Sequence, residues 1–185
     1  YFTNNVSTTG AGAINCVSST PLIANNIIVN NTADNAAAVS LKTNSNATLV
    51  NNTISNNLHN NETNGAAVFI FSSMPVIINN IIYNNGTPFR EISSLPLVSY
   101  TCVNGGYSGE GCFDEDPQFI APSEGQGADF NGLANWHLAE TSPCIDAGSY
   151  EEQYNDPEDP DNPGHALYPA QGTLRNDIGA FGGGT

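Results

Sequence analysis

The sequence predicts an all-β chain wound as a parallel β-solenoid, and three observations carry that prediction. A segment of one pattern recurs at 21–31 (PLIANNIIVNN), 47–57 (ATLVNNTISNN) and 75–85 (PVIINNIIYNN). Counted from the first asparagine of each, the copies lie 26 and 28 residues apart, and a fainter copy, YFTNNVS, opens the chain. Apolar and tolerant positions alternate within the copies, the mark of a strand with one buried face. Paired asparagines punctuate every copy, and no helical periodicity intervenes. Units of about 25 residues that bury a face only by stacking on their neighbours build a solenoid.

The elements follow in order. Ile14-Asn15-Cys16, Val39-Ser40-Leu41 and Val68-Phe69-Ile70 align as short strands upstream of the repeated segment. Stacked like on like, they place Ile14, Val39 and Val68 in one column and Cys16, Leu41 and Ile70 in another. Each fully buried side chain contributes roughly 1.5–3 kcal/mol, and Cys16 thereby reads as a core residue. In the repeated segment, Ile23, Leu49 and Ile77 stand two residues before the first asparagine, and Ile28, Ile54 and Ile82 three after it. These six are the other constant core positions.

Asparagine makes up 21 of the first 85 residues. It tolerates the left-handed turn, and its amide both donates and accepts. Asn25, Asn26, Asn51, Asn52, Asn79 and Asn80 are therefore expected to stack into hydrogen-bonded turn ladders. Glycosylation of sequons such as Asn5-Val6-Ser7, Asn46-Ala47-Thr48 and Asn61-Glu62-Thr63 is the competing use. The recurrence of asparagine at one register, whether or not Ser or Thr follows, favours the ladder.

Charge divides the chain. The net charge is −15 over 185 residues. Residues 1–100 hold Asp34, Glu62 and Glu91 against Lys42 and Arg90, a net of −1, and the rest holds fifteen acids against Arg175 alone. The expected division is residues 1–105 as coils and 106–185 as an acidic C-terminal cap on the last coil, with Trp136, Leu138, Ile145, Ile178 and Phe181 covering it. A cap is needed because a solenoid ends in an open sheet edge and an apolar cross-section. So acidic a chain lacks the basic residues that nucleic acid or an anionic membrane requires, and no apolar run is long enough to span a bilayer. Divalent cations suit it better. The chain starts at Tyr1 without methionine, as a processed or excised piece would, and four cysteines with little lysine suit a secreted protein.

Several residues are candidates for chemistry. Glu62 in the polar loop 58–64 and Asp34 one coil earlier are the acids that could pair for glycoside hydrolysis, and Lys42 is a base for a calcium-dependent lyase. The default for the two acids is a solvated turn. Glu151, Glu152, Asp156, Glu158, Asp159 and Asp161 crowd an acidic run; the last four are hard oxygen donors that suit calcium, against a solvated loop stiffened by Pro157 and Pro160. Arg175, alone among acids, is expected to form a structural ion pair with Asp146 or Asp177. Cys102 and Cys112 flank the glycine-rich loop 104–111 and are read as a disulfide, with Cys144 the rival partner. Phe69, Phe71 and Tyr83 form a candidate aromatic strip for sugar or protein.

The asparagine-turned coils resemble those of right-handed parallel β-helix proteins of the pectate-lyase-like superfamily. The segments 100–119 (YTCVNGGYSGEGCFDEDPQF), 136–148 (WHLAETSPCIDAG) and 172–183 (GTLRNDIGAFGG) resemble the C-terminal part of large secreted bacterial β-helix proteins of the choice-of-anchor type. That resemblance implies a right-handed helix with an irregular C-terminal cap, placed outside the cell or on its surface. The expected function is non-catalytic, structural or adhesive: a rod that assembles end to end with its own copies or docks on the missing N-terminal part of its chain. An enzyme on acidic polysaccharide and a carbohydrate-binding module are the alternatives, because this fold serves all three.

Overall fold

The computed structural model describes residues 1–184, and they form a parallel β-solenoid. The first coil is β1 (Phe2–Thr3), β2 (Val6–Ser7), β3 (Ile14–Val17) and β4 (Leu22–Ala24). The second is β5 (Ile27–Val29), β6 (Thr32–Ala33), β7 (Ala36–Lys42) and β8 (Thr48–Val50), and the third is β9 (Thr53–Ser55), β10 (Leu58–His59), β11 (Ala66–Phe71) and β12 (Val76–Ile78). The fourth has β13 (Ile81–Tyr83), β14 (Phe89–Ile92) and β15 (Leu97–Ser99), after which β16 (Cys102–Val103) begins another turn. Stacking generates four parallel faces. Face 1 is β1-β5-β9-β13-β16, face 2 β2-β6-β10, face 3 β3-β7-β11-β14 and face 4 β4-β8-β12-β15.

Register follows the sequence alignment residue for residue. Ile14 lies beside Val39 and Val39 beside Val68, while Cys16, Leu41 and Ile70 form the adjoining column. Ile23, Leu49 and Ile77 stack on face 4, and Ile28, Ile54 and Ile82 on face 1. All are buried except Ile14, which sits partly exposed on the first coil. The period-2 alternation thus points one residue of each pair into the shared core.

The two asparagines of each pair divide the work of the turn. The first takes the left-handed conformation, with φ of 53°, 51° and 58° at Asn25, Asn51 and Asn79. The second points inward and builds the ladder. Asn26 Nδ2 donates to Asn52 Oδ1 at 3.2 Å, and Asn52 Nδ2 to Asn80 Oδ1 at 2.9 Å; Thr101 Oγ1 takes over as acceptor for the Asn80 N–H. A second ladder runs through Asn5, Asn31, Asn57 and Asn85, with amide contacts of 2.8, 2.9 and 2.9 Å. In both, each Oδ1 above the lowest rung receives the backbone N–H as well as the amide of the coil below. Serines form a third: the Ser45 N–H donates to Ser73 Oγ, and the Ser73 N–H to Ser94 Oγ. Buried turns keep their polar groups paired in this way, as burial demands.

Beyond Val103 the chain first closes the top of the stack. Tyr107 packs edge-on against Phe89 at 5.2 Å and hydrogen-bonds Glu91 at 2.9 Å, and Cys112 joins it against the core. The remaining tail then lies along the outside of face 1. Trp136 and Ala180 cover Ile27 and Val29, while Leu138, Cys144 and Ile178 cover Ile81 and Cys102. The side chains expected to cover the last coil therefore reach the lower coils as well, because Ile27, Val29 and Ile81 at outward positions of face 1 are themselves apolar. The left-handed asparagines fasten the tail. Asn25 Nδ2 donates to Gly182 O at 2.7 Å, Asn30 Nδ2 to Gly125 O at 3.0 Å, Asn4 Nδ2 to Ala128 O at 2.7 Å, and Asn79 Oδ1 accepts the Ser149 N–H at 2.8 Å. Two antiparallel strands, β17 (Phe119–Ala121) and β18 (Asn135–Leu138), brace it.

Two substitutions test these roles. Asn52→Ala strands the Asn26 N–H and removes the amide donor to Ile23 O, while Val50 O keeps the Asn25 N–H and the Asn26 amide keeps Ala24 O. It is expected to cost about 2–5 kcal/mol in urea unfolding, against about 0.5 kcal/mol or less for exposed Asn162→Ala. Gly179 has φ +107°, and a Cβ there would lie 2.7 Å from Ile81 Cδ1 and 3.0 Å from Thr53 Oγ1. Gly179→Ala is expected to cost about 1–3 kcal/mol and to speed limited proteolysis within the tail while the coils stay resistant.

Candidate functional site

Face 3 places both cations of the coils in one groove. Phe69 on β11 lies between Ser40 of β7 and Arg90 of β14, and Phe71 between Lys42 and Ile92. Residues two apart on a strand share a side, so Phe69, Phe71, Lys42 and Arg90 all face outward. Lys42 Nζ stands 5.5 Å from the Phe69 ring centroid. Corner loops of the second and third coils add Asn35, Asn61 and Asn64 to the wall, enclosing a groove of 290 Å³. Asn61 Nδ2 donates to Asn35 Oδ1 at 3.2 Å, and Arg90 Nη1 donates to Thr63 O at 3.2 Å, holding the loop against the strand. Arg90 Nε is buried without a partner.

Electrostatics single this groove out. Among the described residues neither cation has a carboxylate partner: Lys42 stands over the Phe69 ring and Arg90 donates to the Thr63 carbonyl. Glu91, next to Arg90, points to the other side of its strand and accepts from Tyr107. Two positive charges, one aromatic ring and several amides suit a ligand that carries an anion and hydroxyls.

A larger cavity of 560 Å³ lies where the tail meets the last coil, lined by Tyr100, Glu110, Phe113, Asp146, Tyr150 and Arg175 among others. Its arginine is committed to structure. The guanidinium lies 3.8 Å over the Tyr150 ring, and Nε and Nη2 both donate to Gly148 O, at 3.0 and 2.9 Å. The ion pair of Arg175 with Asp146 expected from the sequence is absent. Asp146 instead accepts from the Thr173 N–H and hydroxyl, and a carbonyl with an aromatic face holds the guanidinium.

Other expected groupings come apart. Tyr83 belongs to face 1, under the tail and beside Asp114 and Asp116, so it does not continue the strip of Phe69 and Phe71. Asp34 accepts from the Asn60 amide at 3.3 Å, and Glu62 is exposed on its loop; neither lines the groove. Of the four tail acids, Asp156 turns inward, Glu158 accepts the Gly164 N–H and Asp159 the Asp161 N–H. Among the described residues no group of three or more His, Cys, Asp and Glu is placed to hold a metal. The Cys102–Cys112 disulfide is not present, and all four cysteines are free thiols. Cys102 faces outward into the tail cluster, whereas Cys112 packs on the core inside the top coil.

Two aspartates clasp the tail to itself. Asp177 accepts the N–H groups of Asp146 and Gln171, both at 2.8 Å, and Asp156 accepts those of Asp177, at 3.0 Å, and Gly183. Burial outweighs these donors and raises the two carboxyls, Asp177 to about 7 and Asp156 to about 6. Sequence reading missed this clasp, because neither residue differs in type from the solvated acids around it. Arg90 was passed over as a partner of Phe69 for another reason. The fourth coil is shortened to 21 residues, and threonine replaces asparagine at its corner; the Pro96-Leu97-Val98 match to Pro75-Val76-Ile77 was the signal that could have set its register.

Compared with protein-family models, curated proteins and solved structures, the chain matches none.

Because the folded pKa of each aspartate lies above its unfolded value near 3.8, the folded state holds more protons between those values. The associated stability is present at low pH and is lost as pH rises through 6 and 7. Urea midpoints between pH 5 and 8 are expected to fall with pH, and the Asp156→Asn/Asp177→Asn variant to show a shallower fall. Equal slopes for the two proteins would contradict the assignment.

Proposed function

We propose that this chain is a non-catalytic, adhesive β-solenoid that binds acidic polysaccharide along face 3. One observation carries the reading: two of the three cations in a chain of net charge −15 stand unpaired around Phe69 in one groove. A uronate or similarly charged sugar matches it in parts. Its anion meets Lys42 and Arg90, its ring lies against the aromatic edge of the face, and its hydroxyls meet Asn61 and Asn64. The coil ladders and buried columns keep these groups on rigid strands, which favours recognition over turnover. The asparagine turns and the form of the tail support kinship with right-handed β-helix proteins of the pectate-lyase-like and choice-of-anchor types, and with it an extracellular or surface location.

A second reading concerns the bottom of the stack. Phe2 and Ile14 hold inward positions in the lowest coil yet stay partly exposed, and among the described residues Asn5 and Asn26 lack the donors from below that every higher rung of their ladders receives. This edge suits a second copy or a further coil of the same polypeptide. The loop 106–113 covers the opposite end, which favours pairing at the bottom edge over an end-to-end filament.

Affinity electrophoresis through gels containing polyuronate or neutral glucan tests the first reading. The protein is expected to be retarded by polyuronate alone, with at least a tenfold loss of affinity in Lys42→Ala/Arg90→Ala, weaker retardation at high salt and no unsaturated product with or without calcium. Retardation unchanged in the double variant would remove the groove as the site. Release of unsaturated ends would make the chain a lyase instead.

A further inference from the structure

Cys102 and Cys144 meet where the tail crosses the last coil. Cys102 is the outward residue of β16, continuing the column of Thr53 and Ile81, and Cys144 packs with it and Ile81, Leu138 and Ile178 in one cluster. Both side chains are fully buried in that cluster, and the neighbouring Cys102 thiol together with burial pushes the Cys144 thiol well above its usual range. Cys102 Sγ also contacts Glu115 O at 3.2 Å, while the Cys144 N–H donates to Ser142 Oγ. The other two cysteines are placed elsewhere: Cys16 near the bottom of the inner core, and Cys112 against its top.

We propose that Cys102 and Cys144 are a disulfide-forming pair that staples the tail to the last coil. One S–S bond forms and two S–H bonds break. The two protons and two electrons pass to a disulfide oxidant of the glutathione class, whose own S–S bond is cleaved to two thiols. Because both sulfurs are sealed once the tail has docked, closure belongs to folding rather than to the finished molecule. Joining strand β16 to a residue far along the tail closes a long loop, where a cross-link restricts the unfolded chain most. The inference is independent of the saccharide reading, since it uses no residue of face 3.

Refolding in glutathione redox buffer, alkylating free thiols and cleaving after glutamate tests it. Glutamates 91, 110, 115, 140 and 151 separate the three cysteines of this region into fragments 92–110, 111–115 and 141–151. The expected result is 92–110 linked to 141–151, with Cys16 and Cys112 alkylated. Reductant should lower the Tm by roughly 5–15 °C, equally in Cys112→Ala and not at all in Cys102→Ala/Cys144→Ala. Should the double variant not fold, the wild-type fragment map decides alone. Alkylation of both Cys102 and Cys144 after oxidation, or a link from 92–110 to 111–115, would overturn the pairing.

Discussion

Everything in this fold depends on satisfying the buried turn at each corner of a coil. A turn that is stacked above and below has no water to bond, so every N–H and C=O in it needs a protein partner. The inward asparagine supplies both kinds at once. Asn57 accepts from the Asn31 N–H and amide, and its own amide reaches Ile28 O, Ser55 O and Asn85 Oδ1. No apolar residue can do this. An acid there would turn acceptor oxygens toward acceptor carbonyls.

The same dipeptide then couples the coils to the tail. Because the first asparagine bends the backbone into the left-handed region, its amide leaves the core and emerges along the rim of face 1. The tail has little regular structure of its own, and it borrows order from this row of side-chain amides and from the outward apolar side chains of Ile27, Val29 and Ile81. Fifteen acids are accommodated there because most lie in solvent. The two that do not, Asp156 and Asp177, are each fixed by backbone N–H groups.

Face 3 differs from face 1 in what its outward positions carry. On face 1 they are Ile27, Thr53, Ile81 and Cys102 in one row and Val29, Ser55 and Tyr83 in the next, lying under the tail; on face 3 they are Asn15, Ser40, Phe69 and Arg90 in one row, and Val17, Lys42, Phe71 and Ile92 in the next. The tail covers the former and leaves the latter uncovered. The difference between the faces thus comes from one strand alternation, used with two different sets of outward residues.

The sequence by itself determined the solenoid, its register through three coils, the constant core columns and the use of asparagine at the turns. Each is local and repeated, so the same signal is written several times: Leu49, Ile54 and Asn52 recur one coil on as Ile77, Ile82 and Asn80. Tertiary structure alone decided what occurs once. The outward path of the tail, the place of Tyr83 beneath it, the union of Lys42 with Arg90 around Phe69 and the meeting of Cys102 with Cys144 join residues by coil stacking or by docking of an irregular chain. Such pairs leave no period in the sequence. Even the choice among the aspartates depends on burial, which differs between Asp156 and Asp159 although they are three residues apart in one acidic run.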